Sequence, residues 1–317
     1  MKFPVLKAVS STFAYLAQHA IDLAKALWLP TLLLVALQFY AMSPLFDAFA
    51  ALLKLGPNPE PAAAAGVLAD IGKWTLVLMA GSAIAVPMAA AASLRHVVRG
   101  DRLSLPFYLQ YGGDELRILA AQILLSLMIL LIMLVGGLAA AVVAFIAAII
   151  ARPAAPTAGS LADFAINLVV MWFRLRLCVL FPASMATRTI GFGVAWTATR
   201  NQVLRLLGFW ILVGIPISVI FGLAIGPFIG GFLPHLEALS AAGEDQAAVA
   251  AAMAPVIEEF SALFSPEGPS FPAFAAALYL ATLTTTAIAN VAAGVAWRRL
   301  TDKPAPLEAD VGMRLAA

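Results

Sequence analysis

The sequence predicts an all-α, polytopic membrane helix bundle with six transmembrane helices plus short interfacial helices, in a single membrane domain over residues 1–317. Two observations predict it. Hydrophobic residues make up 63% of the chain and charged residues only 11%, with a mean hydropathy of +0.97, whereas a soluble domain is about half apolar and about a quarter charged. The apolar residues also fall in long runs, as expected of helices that face lipid or one another.

The first two spans are predicted at about residues 21–42 and 74–94. Pro30 lies inside the first span, where neighbouring helices can satisfy the carbonyl that a proline leaves free. Residues 3–20 are mildly amphipathic, so an interfacial helix and a frayed tail both fit them. Residues 43–73 are a connector. It begins with a short amphipathic helix from Pro44, and further prolines end that helix.

The third apolar run, at residues 118–150, is too long for one perpendicular crossing. Its 33 residues would form about 50 Å of helix, against a hydrocarbon core of about 30 Å. One tilted helix is the preferred interpretation. A break at Gly136 and Gly137 is the alternative, although it would leave two halves shorter than a normal span and a turn without polar residues.

The remaining spans are predicted at about residues 161–185, 206–233 and 271–297, followed by a polar tail at 298–317. Asp114 and Glu115 precede the third run, where acidic residues complement the helix dipole. Residues 234–271 are a second connector, helical in composition from Glu244 to Phe264.

The distribution of basic residues predicts the topology. Of the 19 Lys and Arg residues, all but Lys54, Lys73 and Arg152 fall on the same side of a six-span arrangement. Because basic residues stay in the cytoplasm, both termini are predicted to be cytoplasmic. Lys25, Arg117 and Arg205 each mark the start of an odd-numbered span. This fits three similar hairpins, but it also fits any protein that alternates across a membrane.

Two arginines stand inside the fourth apolar segment. A charge near the middle of a span costs about 2.5–3.5 kcal/mol, so Arg174 and Arg176 are candidates for function. They point about 200° apart on a helix, and snorkelling to the interface is the structural alternative. Residues 190–204 are amphipathic, which suits either an interfacial helix at anionic lipid or a solvated connector. The candidate lipid- or partner-binding residues are Arg174, Arg176, Arg188, Arg200, Arg205 and Trp196.

Other patterns indicate packing rather than chemistry. Gly222, Gly226 and Gly230 recur at every fourth position, which favours close helix packing within one bundle. No zinc-protease, nucleophile-elbow or phosphate-loop motif occurs, so no catalytic residue is predicted. The one cysteine and the three histidines, far apart in the chain, predict no metal site and no cofactor. A net charge of +2 predicts no nucleic-acid partner.

One stretch resembles a known family. It has Arg176-Leu-Cys-Val-Leu-Phe-Pro182-Ala, then Ala195-Trp-Thr-Ala-Thr-Arg200, then Leu206-Leu-Gly208. This resembles the bacterial six-span membrane proteins related to the membrane domain of glycerophosphoryl diester phosphodiesterase. The resemblance covers about 40 residues and implies a fold without an activity, since no phosphodiesterase domain is present. In this family a glycine often stands where this chain has Asn201.

These observations together predict an inner-membrane protein that is not an enzyme. It would bind anionic lipid headgroups, or a membrane protein partner, through its basic cytoplasmic face. The alternative is a small transporter or permease. A water-accessible central cavity would favour the transporter, whereas a dry core with basic residues ringed at one interface would favour binding.

Overall fold

Every regular element in the structure is helical. The structure, a computed structural model, describes residues 2–55, 60–101, 111–150, 155–242 and 246–301, and it contains no strand in these ranges. The predicted all-α class is therefore confirmed. Residues 302–317, most of the predicted tail, lie outside the described residues.

Ten α-helices follow one another along the described chain. They are α1 (Val5–Lys54), α2 (Pro61–Leu94), α3 (Gly113–Ile150), α4 (Ala155–Arg176), α5 (Leu180–Thr187), α6 (Phe192–Ala198), α7 (Val203–Ile229), α8 (Leu233–Ala242), α9 (Gln246–Phe264) and α10 (Phe271–Leu300). A π-helical turn, Arg95–Arg99, extends α2, and a 3-10 turn, Gly230–Phe232, joins α7 to α8. Six segments are long and apolar enough to cross a membrane, which is the architecture of a multi-pass membrane protein.

Helix α1 is longer than the sequence predicted. It joins the amphipathic stretch at residues 3–20, the first span and the stretch that begins at Pro44 into 50 residues. The prediction of a separate helix from Pro44 is therefore wrong. A proline removes only one hydrogen bond from a helix, and the turns after Pro44 pack against α9, where Phe46 stacks on Phe260 at 5.4 Å. The only irregularity inside α1 is a kink at His19, with φ −118° and ψ 19°.

The third apolar run is one continuous helix, without the break at Gly136 and Gly137 that was the alternative. Gly136 serves packing, since a Cβ added there would lie 2.8 Å from Cγ1 of Ile166 in α4. Helices α3 and α4 form a hairpin at the side of the bundle. The opposite face of α3 exposes large apolar side chains, as a lipid-facing helix should: Leu127, Leu130, Leu131, Leu134, Leu138 and Phe145.

The bundle has two chemically different ends. At the basic end, α1, α3 and α7 begin and α2, α4 and α10 end; Arg298 of α10 donates to the Val98 carbonyl at 3.0 Å, and Arg299 donates to the Ser11 hydroxyl at 2.9 Å. At the aromatic end, α9 packs on the second half of α1, and α8 packs on α9 and on the 3-10 turn after α7. The amphipathic stretch at the start of α1 is helical and packs on the basic end, with Phe3 and Tyr15 buried.

Candidate functional site

The fourth span breaks at the residue that the sequence singled out. A helix over residues 161–185 was predicted, but α4 ends at Arg176 and a turn separates it from α5. Pro182 favours the break, because its ring would clash with the carbonyl of Cys178 in a continuous helix and it has no N–H to donate. Since other helices of this chain continue through prolines, the break also depends on the contact of α6 with the end of α4. In α5 the proline occupies the first turn, where a missing N–H costs nothing. Arg176 therefore lies at a helix end near the basic end of the bundle.

Arg176 is buried but incompletely partnered. The residue is 6% exposed. Its guanidinium lies over the ring of Trp196, 4.3 Å from the centroid, and 5.9 Å from that of Trp172. Such cation–π contacts contribute about 0.5–2 kcal/mol. The Nε atom has no hydrogen-bond partner among the described residues, and a buried unsatisfied donor costs about 1–3 kcal/mol.

Helix α6 positions the tryptophan. The Trp196 ring stacks on Phe192, with an interplanar angle of 9°, and meets Trp172 edge to face at a centroid distance of 5.4 Å. The buried Thr199 hydroxyl donates to the carbonyl of Arg176 at 2.8 Å, which satisfies one of the carbonyls left free where α4 ends. The amphipathic stretch at residues 190–204 is not one helix: Gly191 and Asn201 adopt positive φ on either side of the short helix α6.

Three arginines line one groove beside this cluster, here called the arginine groove. It has a volume of about 510 Å³ and is lined by Trp172, Arg176, Arg200, Asn201, Val203, Leu204 and Arg205. None of these residues is acidic, and among the described residues no carboxylate pairs with the three arginines. The groove therefore concentrates positive charge without an internal counterion.

The start of α7 adds to the positive character of the groove. Val203, Leu204 and Arg205 form its first turn, where the backbone N–H groups and the helix dipole favour an anion. No side chain caps this turn; the amide oxygen of Gln202 instead accepts the N–H of Phe3 at 3.1 Å. Arg205 donates to the Phe3 carbonyl at 3.4 Å, so the beginning of α1 holds one wall of the groove in place.

The remaining predicted residues lie elsewhere. Arg174 is exposed on the other side of α4 and lines a separate cleft with Asn167, Cys178 and Trp210. The sequence correctly predicted that Arg174 and Arg176 would not share a groove. Arg188 is exposed in a left-handed conformation at the end of α5. Of the six predicted residues, the structure brings together Arg176, Arg200, Arg205 and Trp196.

The glycine row does not pack as expected. A Cβ added at Gly222, Gly226 or Gly230 would meet nothing within 4 Å. No other described segment approaches the backbone of α7 at these positions, so the predicted close packing within the bundle is not found there. The row lies on the outer part of α7, beside exposed Leu223.

Sequence analysis missed an ion network that borders α5. Asp114 accepts hydrogen bonds from Arg95 at 2.9 Å, Arg99 at 2.8 Å and Arg117 at 2.8 Å. The fully buried Glu115 pairs with Arg95 at 2.9 Å. Arg99 also donates to the carbonyl of Met185 in α5 at 2.7 Å. The sequence suggested only that the two acids favour a helix start; their spacing from the arginines gave no further signal.

The two clusters of arginine differ in chemistry. In the network around Asp114, two carboxylates pair with three arginines, and the network joins the end of α2, the start of α3 and α5. The arginine groove carries three guanidinium groups with no acid, and such groups bind phosphate and carboxylate oxygens with two parallel hydrogen bonds. The groove is therefore suited to an anionic ligand, whereas the network is suited to holding helices together.

The fold and the groove define a multi-pass α-helical membrane protein with an arginine-lined groove at its basic end. Comparison with family models, with curated proteins and with solved structures finds no match to this chain. The likeness to the membrane domain of glycerophosphoryl diester phosphodiesterase therefore stays a prediction.

Proposed function

We propose that this chain is a protein of the bacterial inner membrane that binds anionic lipid headgroups in the arginine groove and catalyses no reaction. The observation that carries the proposal is Arg176: a buried guanidinium with an unpartnered Nε, in a groove with two further arginines and no carboxylate. A phosphate group in the groove would supply the missing acceptor and the missing charge.

The surroundings of the groove favour a lipid over a soluble anion. The groove lies at the end of apolar spans, and the ends of such spans in a bilayer meet the headgroups. Leu204, which lines it, is 82% exposed, and Trp172 is 45% exposed. Acyl chains attached to a bound headgroup would cover these two side chains.

Charge supports the proposed orientation. The basic end would face the cytoplasm under the positive-inside rule. The cytoplasmic leaflet attracts basic surfaces through its anionic lipids, by about 1 kcal/mol for each Lys or Arg near the surface. In this orientation the groove opens where its ligand is concentrated.

The test is lipid retention by purified protein. Native mass spectrometry would compare wild type with Arg176→Ala after exchange into nanodiscs that contain phosphatidylglycerol, cardiolipin or only phosphatidylcholine. A charge-assisted hydrogen bond contributes about 1.5–3 kcal/mol, so we expect the variant to bind anionic lipid about 10- to 100-fold more weakly. Arg176→Lys keeps the charge but not the planar fork, and we expect an intermediate loss.

Arg174→Ala is the matched control. It removes the same side chain two residues away, on the opposite side of α4. The proposal requires that it leave retention of anionic lipid unchanged. Equal retention in wild type, Arg176→Ala and Arg174→Ala would contradict it, and co-purification of a protein at the groove in place of lipid would identify the other kind of ligand.

A further inference from the structure

Two backbone irregularities meet at the basic end, apart from the arginine groove. One is the kink in α1 at His19, whose φ and ψ are not helical. The other is the π-helical turn Arg95–Arg99, which contains His96. Short π-helical turns occur frequently at functional sites. The π-helical turn ends at Gly100, which has φ 75° and whose N–H bonds the carbonyls of Arg95 and His96. The kink at His19 has no proline or glycine beside it.

The two histidines face each other across this junction. Their ring centroids are 4.7 Å apart, although 76 residues separate them in the sequence. Asp22 follows His19 by three residues and so shares its face of α1. One potential ligand atom from each of His19, Asp22 and His96 lies within 4.8 Å of the other two, and all three side chains are partly buried.

A neighbouring tyrosine orients His96. The hydroxyl of Tyr15, which is 2% exposed, forms a hydrogen bond with Nδ1 of His96. This leaves Nε2 as the ring nitrogen for a further partner. In histidines that bind metals, a hydrogen bond at the ring nitrogen that does not bind the metal fixes the ring orientation and the tautomer.

Contacts with α10 hold the π-helical turn that carries His96 in place. Val97 is buried against Gly294 of α10, where a Cβ would lie 2.5 Å from Cγ1 of Val97. Arg298 donates to the carbonyl of Val98. The histidine therefore projects from a fixed backbone, as a binding residue should.

We propose that His19, Asp22 and His96 form a binding site for a divalent transition-metal ion, with Zn²⁺ as the best match. Two imidazoles and one carboxylate are ligands that zinc prefers, and three protein ligands leave a fourth position for water or an exchangeable ligand. Ligands on tetrahedral zinc lie about 3.3 Å apart.

This site is independent of the arginine groove and goes beyond lipid binding. A metal ion there would join the kinked start of α1 to the end of α2. The sequence predicted no metal site because the histidines are distant in the chain. In the folded structure, His19 and His96 are neighbours. The third, His235, lies at the aromatic end, 3.3 Å from Glu259.

The test measures metal binding by full-length protein without a histidine tag, treated with chelator and held in detergent. Co²⁺ would be titrated and its visible absorption recorded, and Zn²⁺ would then compete it away. We expect one ion per chain and a tetrahedral cobalt spectrum. Asp22→Asn, nearly the same shape, and His96→Ala should each weaken binding at least about 100-fold, and Tyr15→Phe about 10-fold.

His235→Ala is the control and should bind as wild type does. Absence of a stoichiometric cobalt spectrum in wild type would overturn the proposal. Equal affinity in wild type and Asp22→Asn would overturn it as well, and this variant decides the matter if His96→Ala does not fold. Lipid retention at the groove should be unchanged in Asp22→Asn, which separates this proposal from the proposed function.

Discussion

The basic end and the aromatic end of this bundle are held together in opposite ways. At the basic end, several buried side chains carry charge or hydrogen-bonding groups: Glu115 is fully buried beside Arg95, and Thr199 bonds the carbonyl of Arg176. The Arg176 guanidinium lies on Trp196 and keeps an Nε without a partner among the described residues. The backbone there is irregular, with a kink, a π-helical turn and two short helices.

The aromatic end relies on stacked phenylalanines. Phe232 lies parallel to Phe260 at 4.4 Å, and Phe260 also stacks on Phe46. Phe39 contacts Phe264, Phe271 and Phe274. Polar contacts accompany them at the surface: the Ser261 hydroxyl donates to Asp47 at 2.8 Å, and His235 lies 3.3 Å from Glu259. Long regular helices make up most of this end.

The difference predicts how each end responds to substitution. Removing one member of a polar pair leaves the other buried and unsatisfied, which costs more than the pair itself contributes. Aromatic side chains in contact can adjust, and apolar substitutions of similar volume usually cost less than about 1.5 kcal/mol. Substitutions at the basic end should therefore lower the stability of the fold more than substitutions at the aromatic end.

The largest effect is expected for Asp114→Ala. This change removes the carboxylate that accepts hydrogen bonds from Arg95, Arg99 and Arg117. The three guanidinium groups then lose the negative charge that they share. We expect a loss of about 3–5 kcal/mol, seen as a lower midpoint of thermal unfolding in detergent. Asp163→Ala, at an exposed acid of α4, should leave the midpoint unchanged. Similar midpoints for both variants would show that the network contributes nothing to stability.

An intermediate effect is expected for Gly191→Ala. Gly191 has φ 53°, and a Cβ there would lie 2.6 Å from the backbone nitrogen of Ser184. The strain should cost about 2–3 kcal/mol, measured by the same unfolding midpoint. Gly193→Ala is matched, because nothing lies within 4 Å of its Cβ position, and we expect it to be neutral or slightly stabilising. An equal loss in both would refute the close approach at Gly191.

The smallest of the three effects is expected for Phe260→Leu at the aromatic end. It removes two ring contacts but keeps an apolar side chain, so we expect a loss of about 1 kcal/mol. Phe145→Leu serves for comparison, since Phe145 is 67% exposed on α3 and should change little. A loss at Phe260 as large as that for Asp114→Ala would remove the distinction between the two ends.

Sequence patterns predicted what depends on local composition. Apolar run length predicted the six spans, and helical geometry predicted that Arg174 and Arg176 would diverge. Patterns did not predict what depends on contacts between distant segments. Pro182 was visible, but the break at Arg176 also requires α6 to receive the helix end. His19 and His96 are separated by two spans, so neither spacing nor periodicity could indicate that they meet.

The contact of Phe3 with Gln202 and Arg205 has a consequence for the order of assembly. Its partners lie about 200 residues later in the chain. At a synthesis rate of about 5–20 residues per second, the start of α1 waits roughly 10–40 s on the ribosome before those partners exist. During that interval its apolar face, including Phe3, is available to lipid or to a chaperone. The first segment to be made is thus among the last to reach its final position.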